Sequence, residues 1–254
     1  MATVQTGGGD PARTMALLWG SAEPTRTRGP RQGLTLRGIA AAAIELADSY
    51  GLDALSMRRV AERLGVGTMS LYTYVPGKAE LVDVMLDAVH HETAGDPLGA
   101  TWRERVEWIA RERWALARRH PWMLHLAATR PPLGPGILAT YERELRALEG
   151  LGLDDVEMDS LVTLISDYVA GAARSAVDAV DVQRSSGVDD ATWWAATQPW
   201  LAKVLDPQRF PLAARVGTTA GAHHQAISDP DHAFEFGLER VLTGIEALVR
   251  ERSA

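Results

Sequence analysis

The chain has 254 residues, 46% of them hydrophobic, enough for a small module and a larger one with its own core. No apolar run reaches the roughly 18 residues of a membrane span, so no membrane association is expected, and the N-terminus lacks the basic-then-apolar pattern of a secretory signal. With no cysteine there is neither a disulfide framework nor a thiolate metal site, and these absences together fit a cytoplasmic protein. The net charge of −7 argues against a protein that coats nucleic acid indiscriminately, but the charge is divided. Residues 1–78 carry nine Lys or Arg against six Asp or Glu, whereas the remainder carries 17 against 27. A basic amino-terminal module on an acidic body suits a site-specific DNA binder with a second domain.

Residues 1–33 are rich in Gly, Pro, Thr and Arg and read as a flexible arm, with at most one helical turn or a docking segment at Thr14–Trp19. Arg26, Arg28 and Arg31 are spaced so that they could follow phosphates or enter a minor groove, although a solvated tail is the simpler reading. Thr35 can cap a helix from Leu36 to Tyr50, where Leu36, Ile39, Ala40, Ala43, Ile44 and Ala47 form one apolar stripe. Ser56 can cap a second helix with Met57, Val60, Ala61 and Leu64 on one face, and Gly65 stops it. A short third helix follows over Ser70–Tyr74. Leu71 and Val75 face inward, leaving Thr68, Ser70, Tyr72 and Thr73 for solvent or a ligand. Pro76-Gly77 suits a type II turn that returns the chain to Lys78. This is the form of a helix-turn-helix, whose second helix enters the major groove; hydroxyl side chains reach base edges, and Tyr and Lys reach phosphates. Spacing alone equally permits an ordinary helical hairpin with solvated polar faces.

From Lys78 onward the chain reads as helix almost throughout. Leu81, Val82, Met85, Leu86 and Val89 mark a fourth helix, a rod from the reading helix into the body. Trp102–Arg119 is the next, with Val106, Ile109, Ala110, Arg113 and Ala117 along one side, and a short helix is expected over Trp122–Thr129. Ile137–Leu148 and a long helix over Val156–Val182 follow; Gly171, Ala172, Ser175, Ala176 and Ala179 on the latter admit a close neighbour. Asp190–Leu205 reads as a helix interrupted near Pro199. Residues 206–230 read as a long loop with one helical turn near Pro211–Val216. In Asp231–Arg250, Phe234, Leu238, Val241, Ile245 and Leu248 alternate by four and three, the pattern of a helix-pairing seam. With the small-residue face it predicts a four-helix homodimer interface. No period-two strand or internal repeat occurs.

Residues Leu34–Val89 resemble the N-terminal domain of TetR-type transcriptional regulators. The resemblance rests on A-A-x-x-L-A-x-x-x-G-L-x-A-L-S, on R-x-x-A-E-x-L-G-V and on L-Y-x-Y-V-x-x-K. It implies an all-α fold: a flexible arm (1–33), a three-helix DNA-binding domain (34–78) and a larger helical regulatory and dimerisation domain (79–254). It places Thr68, Met69, Ser70, Thr73 and Tyr74 at groove-facing positions, Tyr72 and Lys78 on phosphates, and Arg58 where an arginine reaches a base or phosphate. The tetracycline repressor has Gln-Pro-Thr and Trp-His at the groove-facing positions, so a different operator is implied here. His125-Leu126-Ala127-Ala128-Thr129-Arg130-Pro131 is similar to the repressor's metal-binding H-L-G-T-R-P loop, with one residue more. The other two metal-shell positions align with Asp167 and Arg174. An arginine there would repel a cation, which argues against magnesium–tetracycline and leaves an apolar or anionic molecule.

Other classes fit less well. Gly65-Val66-Gly67-Thr68-Met69-Ser70 lacks the third glycine and the preceding strand of a dinucleotide loop, and no G-x-S-x-G elbow occurs. His90-His91 and His223-His224 are adjacent pairs without the four-residue spacing of a helical zinc site. No catalytic residue, metal or cofactor is therefore assigned. The body's tryptophans, among them Trp102, Trp108, Trp122 and Trp193, are individually core residues by default. As a group they can wall an apolar pocket, for which Trp114, His125, Tyr141, Asp167 and Tyr168 are the candidate ligand contacts. The sequence thus predicts a homodimeric DNA-binding regulator, a repressor released from operator DNA by a small-molecule effector. The alternatives are a small-molecule-binding helical enzyme or a protein-only adaptor.

Overall fold

A computed structural model describes residues 6–20, 34–93, 95–126 and 130–253. Eleven α-helices occur among these residues, with no strand: α1 (Pro11–Leu18), α2 (Leu36–Tyr50), α3 (Met57–Leu64), α4 (Thr68–Tyr72), α5 (Lys78–His90), α6 (Trp102–Arg119), α7 (Pro135–Leu148), α8 (Asp155–Ser186), α9 (Asp190–Val204), α10 (Pro211–His224) and α11 (Pro230–Ser253). The caps follow the local sequence. Thr35 Oγ1 accepts the Gly38 N–H, and Ser56 Oγ accepts that of Arg59. Thr101 with Glu104, and Asp154 with Glu157, form reciprocal capping boxes at the starts of α6 and α8. Gly65 closes α3 at φ 66°, a left-handed conformation that costs a side chain free energy.

Two apolar clusters organise the chain. The first joins α2, α3, α4 and α5 through Ile39, Ala43, Val60, Leu71, Val75 and Met85. The body reaches into it: Trp122, on the 3-10 turn Pro121–His125, is buried there and donates Nε1–H to Asp48 at 2.8 Å. Asp48 also meets His120 Nδ1 at 2.8 Å, so one carboxylate at the end of α2 fastens the head to the turn after α6. The second cluster is built by α6, α8 and α11, with Val106, Ile165, Val169, Phe234, Leu238 and Ile245 inside. Arg143 is also buried, donating to the Thr93 carbonyl and lying 5.6 Å from the centre of the Trp108 ring.

Several expectations need correction. Part of the arm is a docked helix: Asp10 caps α1, the Gly7 N–H donates to Asp83 on α5 at 3.1 Å, and Trp19 Nε1–H donates to the Leu133 carbonyl at 3.0 Å. Arg26, Arg28 and Arg31 lie outside the described residues. The segment read as a long loop contains α10, and α9 runs through Pro199 without a break. Both helices are peripheral, with no residue of α9 and only Gly221 of α10 buried. Trp194 of α9 lies over Gly221 of α10, where a Cβ would meet its ring. Of the α11 seam, Phe234, Leu238 and Ile245 are buried in the subunit's own second cluster, with Leu238 1% exposed, and Val241 and Leu248 are half-buried against it.

Candidate DNA-reading head and ligand cavity

The head presents α4 as a short rod. Leu71 and Val75 are fully buried and pin it to α2, α3 and α5, so its other faces must point outward. Met69 is 77% exposed, Tyr72 and Thr73 are exposed, and Thr68 and Ser70 are half-buried. Tyr74 differs: it packs against the first cluster, so its ring is fixed by the core. Arg58 is exposed and pairs with Glu62 one turn on at 2.8 Å; this neighbour raises its pKa, through the hydrogen bond first and the charge second. Lys78 Nζ donates to the Leu52 carbonyl at 3.2 Å. An ammonium has three donors, so this bond leaves two for another acceptor.

Behind the head, α5, α6, α7 and α8 enclose a cavity of about 570 Å³. Its lining on α8 is Asp159, Val162, Thr163, Ser166, Asp167, Val169 and Ala170, recurring at helical spacing. On α6 it is Arg113, Leu116 and Ala117, and α5 supplies Leu86 and His90. Of the sequence candidates, Tyr141 and Asp167 line it, and the Tyr141 hydroxyl donates to Asp159 at 2.8 Å. Trp114 and Tyr168 lie on the other faces of α6 and α8. Trp114 stacks on Phe234 of α11 with ring centres 4.1 Å apart, and the Tyr168 hydroxyl donates to the Phe234 carbonyl at 2.6 Å. His125 is exposed and absent from the lining, and Ala127–Thr129 of its motif lie outside the described residues. Arg174 is also absent from the lining; its guanidinium donates to the Leu124 carbonyl.

Three lining residues that the sequence did not mark as site residues, Arg113, Glu144 and His90, shape the cavity. Arg113 donates Nε–H and Nη2–H to Glu144 at 2.5 and 2.6 Å and Nη1–H to Ser166 at 2.9 Å. A charged residue on an otherwise apolar stripe was the available signal for Arg113; Glu144 offered none. His90, on the last turn of α5, has its pKa pushed down to about 4, by burial first and then by Arg113, Arg143 and His91. Its Nδ1 is buried without a hydrogen-bond partner among the described residues. Asp87, one turn earlier, accepts the Gly136 and Ile137 N–H groups at 2.9 and 3.0 Å. It thereby caps α7, whose own N-cap position is Gly134. Burial raises the Asp87 pKa, opposed by the Ile137 N–H, by His91 and by the Gly136 N–H.

A helix-turn-helix head over a helical body with a cavity invites comparison with known proteins. Residues 39–85 match the family model "Bacterial regulatory proteins, tetR family", and residues 95–249 match "Tetracyclin repressor-like, C-terminal domain". The chain belongs to the TetR family of transcriptional regulators. This TetR-family protein is 46% identical over 253 residues to the HTH-type transcriptional repressor DrrR1 of Streptomyces coeruleorubidus, covering 98% of this chain and 91% of that one. It is 28% identical over 211 residues to the class C tetracycline repressor protein of Escherichia coli, covering 81% and 88%. Among solved structures, apo ActR of Streptomyces coelicolor superposes with a TM-score of 0.71 at 30% identity, covering 87% of this chain and 99% of that one. ActR in complex with actinorhodin superposes at 0.69 with 29% identity, covering 85% and 97%. The expected all-α fold and helix-turn-helix head are thus those of the family, and the TetR-family chain is a DNA-binding transcriptional regulator. No helix among its described residues is long and apolar enough to cross a membrane.

Proposed function

We propose that this regulator is a cytoplasmic, homodimeric repressor that leaves its operator when a small molecule occupies the cavity. The observation that carries the reading is the position of α5. It starts at Lys78, directly after the reading helix, and ends at His90 in the cavity wall. A ligand that moves the wall moves the same rigid helix that carries the head. The relative DrrR1 is named a repressor, and ActR has been solved with actinorhodin, which supports the reading by similarity.

In this proposal Thr68, Met69, Ser70 and Thr73 face base edges, and Tyr74 sets the groove-facing end of the helix from its place on the core. Tyr72, Lys78 and Arg58 contact the backbone, Arg58 by exchanging Glu62 for a phosphate. One head reads only a few base pairs, so two are needed about one helical turn apart. The dimer face falls on α8, where Leu164, Gly171, Ser175 and Val182 are all exposed and share one side.

Release requires a ligand that binds the non-DNA-binding conformation more tightly, and a switch from about 99:1 to 1:99 needs roughly 5.5 kcal/mol of difference. The test is to map bound DNA across the genome, assemble the complex on a recovered site and add extracted metabolites. Saturable release by one fraction supports the proposal. A ligand that fills the cavity yet leaves operator affinity unchanged refutes the switching, and failure to recover any specific site refutes operator binding.

A further inference from the structure

We propose that the cavity between α5 and α8 selects a cationic amphiphile, an apolar ring-bearing body with positively charged N–H groups, and rejects an anion of the same shape. The inference rests on the reading of this cavity as the effector site and adds the chemical class.

The space, about 570 Å³, lies in the range of drug-sized ligand sites, and Leu86, Leu116, Met123, Ile137 and Val169 give it an apolar interior. Its charges are unequal. Three carboxylates, Glu144, Asp159 and Asp167, line it against a single guanidinium, Arg113. That guanidinium is already committed: each of its three nitrogens carries an acceptor, two on Glu144 and one on Ser166. Glu144 is 5% exposed, so an anion that drew Arg113 away would strand a buried carboxylate, one of the most costly changes a protein interior can undergo. The pair therefore stays closed, and an anion meets only the two spare Nη N–H groups of a guanidinium whose charge Glu144 already balances.

The two remaining carboxylates lie two turns apart on the cavity side of α8, at the mouth. Asp159 accepts one hydrogen bond from Tyr141, and the Asp167 carboxylate has no hydrogen bond or ion pair among the described residues. They are about 12 Å apart along the helix, so each acts separately: a cationic N–H group beside either one gains a charge-assisted acceptor. At the α5 end, His90 is uncharged at neutral pH, and a neutral imidazole always keeps one ring nitrogen as an acceptor, so it suits a ligand hydroxyl and gives a carboxylate no counter-charge. The sequence-based expectation of an apolar or anionic ligand came from Arg174, which the structure turns onto the Leu124 carbonyl and keeps out of the lining.

The test uses two xanthene dyes of similar size and opposite charge, rhodamine 6G and fluorescein, titrated by anisotropy into the DNA-free full-length protein in about 0.15 M salt, where surface charges act only over about 8 Å. Rhodamine 6G is expected to bind at one site per chain about tenfold more tightly than fluorescein, since one or two exposed ion pairs supply that factor. Asp159→Asn with Asp167→Asn keeps the shape and is expected to abolish most of the preference. Asp190→Asn with Asp206→Asn removes the same net charge outside the cavity lining and is expected to keep it. Ala170→Trp fills the cavity and is expected to abolish binding of either dye. Equal affinity for the two dyes, or a preference untouched by the α8 pair, overturns the charge selection and leaves the cavity reading standing. Absence of saturable binding of both dyes overturns the cavity reading and this inference with it.

Discussion

Asp87 offers the sharpest test of how the cavity is joined to the head. Its carboxylate is nearly buried and receives the Gly136 and Ile137 N–H groups at 2.9 and 3.0 Å, serving as the cap that α7 lacks in its own sequence. Asp87→Ala leaves two N–H groups at a packed helix end without an acceptor. Hydrogen bonds to a charged group contribute about 1.5–3 kcal/mol each, but the raised pKa of Asp87 signals that burying its charge already costs part of that gain. The low end of the range for both bonds gives a net loss of about 3 kcal/mol, larger than the roughly 1 kcal/mol of an ordinary exposed cap because the orphaned donors are buried. Asp87→Asn keeps an acceptor oxygen and is expected to cost about 1 kcal/mol. Urea denaturation followed by far-ultraviolet circular dichroism measures both. Hydrogen exchange across residues 78–90 and 135–141 then shows whether the loss is local to the contact between α5 and α7. An Asp87→Ala protein within about 0.5 kcal/mol of wild type, the usual range for surface changes, would refute the claim that this carboxylate caps α7.

Five further expectations follow from the structure. A Cβ at Gly136 would overlap the Asp87 carbonyl oxygen and press on the His91 ring, so Gly136→Ala is expected to cost about 1–3 kcal/mol of overpacking, and a stability gain on denaturation would contradict it. Lys78→Ala is expected to weaken specific and non-specific DNA alike and lower the salt slope by roughly 0.9, while Thr73→Ala changes sequence preference at about 1–3 kcal/mol per affected base pair. Salt titrations and randomised-site selection separate the two roles, and unchanged preferred sites for Thr73→Ala would count against base readout. Leu164→Glu with Val182→Glu is expected to yield monomers in sedimentation that bind the operator poorly; a wild-type dimer constant would move the interface elsewhere. His90, with its folded pKa near 4 and an unfolded value near 6.5, favours folding above the higher value, and this contribution is lost as pH falls from about 6.5 to about 4. The wild type is expected to lose up to about 3 kcal/mol more than His90→Gln over that window, and parallel pH profiles would show that His90 is not held neutral.

The local sequence determined much of this protein, because the relevant signals act over one or two turns. Ser56 before Met57, Gly65 after Leu64 and the spacing of Leu71 with Val75 are enough to build the head and to leave Thr68, Ser70, Tyr72 and Thr73 outside it. The acidic body and the small-residue face of the long helix were equally visible. What the tertiary structure decided are contacts between distant segments. Arg113 and Glu144 are 31 positions apart, Asp87 and Gly136 are 49 apart, and Trp19 reaches Leu133 across 114. None of these pairs has a local pattern, and each depends on which side of a helix faces which neighbour. The same reason moved Trp114 and Tyr168 out of the cavity, since a step of one residue turns a side chain by about 100°. It also turned the seam of α11 inward, because an apolar stripe records that a face is buried and carries no record of whether its own chain or a second copy covers it.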